Sequence, residues 1–129
     1  MMTGSPFQPN QIVCIEQGDA LLFAEVIQVS ELRPMSWLRP LLLCKAHSNW
    51  NADPVDQAAE LAEQICDLRE GADLLWPLAL LRAALDTEVM PLLTKLSAHK
   101  PQPGDHPAHR QLQDFTRRAW QDSPEAFRL

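Results

Sequence analysis

A chain of 129 residues is long enough for one domain with its own core. Its 46% hydrophobic and 22% charged residues, with 11 prolines and 4 glycines, exclude a disordered, collagen-like or disulfide-stapled chain. The net charge of -6 is unevenly placed: residues 1–52 sum to -1, residues 53–88 to -7 and residues 89–129 to +2. An acidic middle weighs against a phosphate-binding channel over the whole surface and leaves room for a local basic site.

Residues 1–10, with Gly4, Pro6 and Pro9, read as a flexible tail. Ile12, Val13, Cys14 and Ile15 form a short strand that ends at the turn pair Gly18-Asp19. Ala20 to Val29 is a second strand, with Leu22, Ala24 and Val26 on one face and Leu21, Phe23, Glu25, Ile27 and Val29 on the other. Both faces are largely apolar, as expected of a curved, closed sheet. Ser30 to Pro34 reads as a turn, and Met35 to Lys45 resumes extended character. Pro40 removes one ladder donor there, which calls for an edge strand or a bulge.

Residues 46–54 form a polar loop. Residues 55–70 fit either helix or strand, the first part helical or irregular and the second part extended. Glu70-Gly71-Ala72-Asp73 then turns the chain into Leu74-Leu75-Trp76. Pro77 to Leu85 suits a short helix or 3₁₀ turn, and Asp86 is a good N-cap for a helix through Leu96, its start displaced if Pro91 intervenes. Residues 99–106 (HKPQPGDH) form a Pro-rich linker, and 107–129 a C-terminal amphipathic helix and tail. Leu112, Phe115, Thr116, Ala119 and Trp120 make its apolar stripe.

A short apolar strand, a Gly-Asp turn, a long bent strand and further short strands describe an α+β chain. The expected core is a small SH3-like β-barrel over residues 11–98, alternatively OB-like, with a helical insertion and the C-terminal helix. The segments GDALLFAEVIQV, SWLRPLLL and DLREGADLLWPLALLRAALDTEVMPLL resemble small conserved cyanobacterial proteins of uncharacterised activity, over about residues 11–96. That resemblance implies a bacterial cytosolic protein of a phototroph, and carries no catalytic motif.

The chemistry-bearing patterns are sparse. Cys44-x-x-His47 and His106-x-x-His109 are the only metal-like spacings, and neither completes a four-ligand set, so no metal is expected. A nucleophilic cysteine needs a histidine base and an electropositive setting, which Cys14 and Cys66 lack and Cys44 has only through His47 on the opposite strand face. Asp56, Glu60, Glu63 and Asp67 fit a solvated acidic helix face better than a general acid–base pair. No glycine-rich phosphate loop occurs, so no cofactor is expected. The three cysteines, an odd number in apolar surroundings, read as free thiols of a reducing cytoplasm. The segment MMTGSPFQPNQ lacks the features of a secretory signal, and no apolar run is long enough for a membrane span.

What remains is recognition. Arg33, Met35, Trp37 and Arg39 share strand parity, so an undistorted strand sets two cations around an aromatic, a base-stacking platform. The last helix offers Leu112, Phe115 and Trp120 as partner contacts, with Arg110, Arg117 and Arg118 beside them. The expectation is a non-enzymatic protein-interaction or assembly adaptor that uses Arg33, Trp37, Arg39, Leu112, Phe115 and Trp120. The alternative is a small barrel that binds RNA or single-stranded DNA through Arg33, Trp37 and Arg39.

Overall fold

The computed structural model describes residues 7–30, 32–45, 65–98 and 106–127. The expected 46–54 loop, most of the ambiguous 55–70 segment and nearly all of the Pro-rich linker lie outside the described residues. The fold is mixed α+β: a six-stranded antiparallel sheet that is not closed, and two α-helices.

Strands β1 (Ile12–Gln17) and β2 (Ala20–Val29) form a hairpin about Gly18 and Asp19, with Gln17 opposite Ala20. Gly18 takes φ +59 at the first central position, the place where a two-residue II′ turn needs glycine. Strand β3 (Met35–Lys45) follows the Ser30–Pro34 turn, in which the Ser30 hydroxyl accepts the amide hydrogens of Leu32 and Arg33. Pro40 sits in the middle of β3, which is not an edge strand. The ladder absorbs it with a bulge: Phe23 pairs with Leu42 and Ala24 with Pro40, and Leu41 has no counterpart. Leu38 and Leu43 can therefore line one face despite their opposite parity.

The outer edge of β3 is shared. Strand β4 (Cys66–Asp67) pairs with Leu43 and Leu42, and strand β5 (Leu74–Pro77) pairs with Met35–Leu38. A 3₁₀ turn (Leu78–Leu80) then leads to β6 (Arg82–Ala83), which pairs with β1 at the opposite end of the sheet. This return forces curvature. Trp76 lies in the row of Val29, whereas Arg82 lies in the row of Phe23, four strand steps away. On a flat sheet those residues are roughly 28 Å apart, from ~4.8 Å per strand and ~3.3 Å per residue. The six chain steps between them reach at most about 21 Å. The sheet is rolled, although its ends do not pair.

The two apolar faces of β2 have a cause other than the expected closure: each is covered by a helix. Val13, Ile15, Leu22, Ala24, Val26, Leu38 and Trp76 form a core with Leu112, Phe115 and Ala119 of α2 (His106–Asp122). On the other face Cys14, Leu21, Phe23, Leu42 and Cys44 pack on Val89, Leu92 and Leu96 of α1 (Asp86–Ala98). Helix α1 starts at Asp86, with Glu88 reaching back to accept the Leu85 amide hydrogen at 2.8 Å. Pro91 does not displace that start; the helix runs past it at the cost of one intrahelical bond.

Arg82 joins this layer to the sheet edge. Its guanidinium donates to Glu16 of β1 at 2.8 Å and to both carboxylate oxygens of Glu88, at 2.6 and 3.1 Å. Burial pushes the Glu88 carboxyl up, but the hydrogen bonds from Arg82 and the Leu85 amide outweigh it and hold the group below its ordinary range. Folded Glu88 thus binds its proton more weakly than unfolded Glu88. Its contribution is complete above the ordinary carboxylate value of about 4.5 and is lost as pH falls through and below it. Glu88→Gln is expected to cost about 1 kcal/mol at neutral pH. In acid titrations of urea unfolding, wild type and variant should converge as pH falls below the ordinary carboxylate range, and a constant offset would refute the assignment.

Candidate functional site

The structure divides the expected contact residues into two groups. Leu112 and Phe115 are buried in the core under α2, because the helix turns its stripe onto its own sheet. They anchor the helix and are unavailable to a partner. Arg33 is corrected as well. Strand β3 begins at Met35, and the Met35 amide donates to the Arg33 carbonyl at 2.7 Å, so Arg33 belongs to the turn and leaves the strand face. Trp37, Arg39 and Trp120 remain exposed.

Trp37 is 42% exposed, and its indole Nε1 donates to Asp73 Oδ2 at 2.9 Å. Arg39 reaches the same carboxylate, with Nε 4.0 Å from Oδ1. The expected pair of cations around an aromatic is therefore an aromatic and a cation gathered on an acid. An anion at that centre opposes a phosphate backbone.

Trp37 pairs across the ladder with Leu75 of β5, which is 69% exposed. Period-2 alternation explains it: Trp76 enters the core, where it meets Phe115 and Phe127, and Leu75 faces out. Leu75 lines two grooves. One, of about 620 Å³, runs over Pro9, Val29, Leu32, Met35 and Trp37. The other, of about 450 Å³, lies between β5 and α2, with Trp76, Thr116, Arg117, Trp120 and Phe127. Trp120 is 58% exposed and Leu32 94%. The two tryptophan surfaces, separate in sequence, thus meet at one leucine. Leu75 and Asp73 are candidate positions that sequence reasoning passed over; the alternation through Asp73-Leu74-Leu75-Trp76 was the signal for both.

Among the described residues no cluster of His, Cys, Asp and Glu could hold a metal ion. Cys14 and Cys44 are buried, and burial pushes both thiols up to about 12, the opposite of an activated nucleophile. Asp67 is held by Arg69 through both carboxylate oxygens, at 3.0 and 2.8 Å, while Asp56, Glu60, Glu63 and His47 lie outside the described residues. Among the described residues no helix is long and apolar enough to cross a membrane. Comparisons with protein-family models, curated proteins and solved structures find no match to this chain.

Proposed function

We propose that this chain is a non-enzymatic protein-interaction module, an adaptor of assembly or regulation in a cyanobacterium-like cytosol, built on an SH3-like half-barrel. The barrel reading is supported by the order of the elements. Strands β1, β2, β3 and β5 make an antiparallel meander, and a 3₁₀ turn returns the chain to pair β6 with β1. A Greek-key path, as in an OB fold, fits that order less well. The interaction reading rests on one observation: Leu32, Trp37, Leu75 and Trp120 stand exposed around two adjoining grooves. Large apolar side chains gathered on one face are what a protein contact uses, with tryptophan the commonest anchor.

Quantitative capture from the native cell tests this with wild type, Trp37→Ala and Trp120→Ala. Each substitution should weaken retention of the same partner by about tenfold or more, with the melting temperature little changed. Equal retention by all three proteins refutes the reading. Salt-sensitive retention of a single-stranded oligonucleotide, lost in Trp37→Ala, would favour the nucleic-acid alternative instead.

A further inference from the structure

The outer edge of β5 bears directly on what kind of partner this surface takes. The Leu78 amide donates to the Pro34 carbonyl at 2.9 Å, continuing the register in which Met35 faces Pro77. Antiparallel ladders alternate hydrogen-bonded and non-hydrogen-bonded pairs. Ser36–Trp76 and Leu38–Leu74 are therefore bonded pairs, and Trp37–Leu75 is not. The N–H and C=O of Leu75 consequently point away from β3, toward an edge with which no described strand pairs. Pro77, the next outward position, offers only a carbonyl. This edge forms one wall of the groove whose other wall is α2. Trp76, 1% exposed, lines the same groove, and its Nε1 is the only buried side-chain nitrogen or oxygen among the described residues without a hydrogen-bond partner.

We propose that this groove receives an extended segment of a partner protein, which adds as a strand to β5. The proposal rests on the interaction reading above. Backbone groups of the incoming strand meet the N–H and C=O of Leu75; one set of its alternate side chains, the apolar one, lies on Leu75, and the other faces α2 at Trp120 and Arg117. Charge selects the sequence. Among the described residues Arg117 is the only charged one lining either groove, and its exposed ion pair with Asp114 leaves it open to sharing. Arg33, in the turn that carries Leu32, has no acidic partner among the described residues, while Asp73 is already engaged by Trp37 and Arg39. The segment is acidic and apolar in alternation, and a basic one is disfavoured.

The test is selection of a displayed library of random short peptides on the full chain. Enriched peptides should alternate apolar residues with Asp or Glu. They should slow hydrogen exchange at the Leu75 amide and shift the Trp76 indole N–H resonance. Leu75→Pro removes the outward donor while leaving the β3 ladder intact, a substitution that edge strands tolerate. It should weaken those peptides about tenfold. Unchanged binding to Leu75→Pro, with β3 amides still protected, overturns the proposal, as does a library without enrichment. Should Leu75→Pro fail to fold, Arg117→Glu with the exchange measurement on wild type decides in its place: no loss of binding, or no protection at Leu75, has the same force. If Trp37 and Trp120 control capture from the cell but Leu75→Pro does not, the interaction reading stands and strand addition falls; if none of them matters, both fall.

Discussion

Replacing Trp76 by alanine should lower the unfolding free energy by about 3–5 kcal/mol, the usual cost of deleting a large buried aromatic. Trp76 is where three parts of the fold meet. Its backbone lies in the β5–β3 ladder, where the buried Ser36 hydroxyl donates to its carbonyl at 2.9 Å. Its ring lies 6.1 Å from Phe115 of α2 and 5.1 Å, edge to face, from Phe127 in the 3₁₀ turn (Pro124–Phe127) that follows that helix. Alanine leaves a cavity that the sheet, the helix and the turn cannot close together. Trp76→Phe keeps an aromatic contact and removes an indole N–H that has no partner, so it should recover most of the loss. Urea midpoints with unchanged m-values are the measurement. Equal destabilisation by the two substitutions would mean that the indole nitrogen is satisfied after all.

Deleting residues 105–129 should abolish cooperative unfolding. The sheet face under α2 holds Val13, Ile15, Leu22, Ala24, Val26, Leu38 and Trp76, every one of them buried. Without Leu112, Phe115 and Ala119 that face is exposed to water. At about 25 cal/mol per Å², the loss of cover from a surface of that size rivals the whole stability of a small domain. The truncated chain should bind a hydrophobic dye and lose near-ultraviolet circular dichroism. Gln17 adds a polar tie, since its side-chain amide donates to Asp122 at the end of α2. A truncated protein that unfolds with the wild-type midpoint would show α2 to be a detachable arm, and would return Leu112 and Phe115 to the list of partner contacts.

The local elements were legible because their causes are local. A β-branched run and a Gly-Asp pair suffice for the first hairpin, and the bulge beside Pro40 follows from one missing donor. The stripe of the last helix is visible as i, i+3, i+4 spacing, and the structure buries Leu112, Phe115 and Ala119 from it. Spacing alone could not say that Trp120 stays outside. It lies about 100° from Ala119 on the helical wheel, on the flank beyond Thr116, and the width of the sheet beneath decides which flank is covered. The same limit misassigned Arg33: parity counts only inside a strand, and the Ser30 hydroxyl draws the turn out to Pro34.

The sequence by itself determined that this is an acidic α+β chain without a glycine-rich phosphate-loop pattern. Turn chemistry and hydrophobic period also gave the first hairpin, the long third strand and the two helices, but not β6 (Arg82–Ala83), which lies inside the stretch read as a short helix or 3₁₀ turn. Tertiary structure decided the rest. It made the apolar faces of β2 the two sides of a helix-covered sheet, consumed Leu112 and Phe115 in the core, and placed Asp73 between Trp37 and Arg39. It also brought Trp37 and Trp120 together at Leu75. The physical reason is common to all four. Period and propensity act over a few residues, whereas pairing β5 with β3 and laying α2 on the sheet join residues that the chain holds far apart.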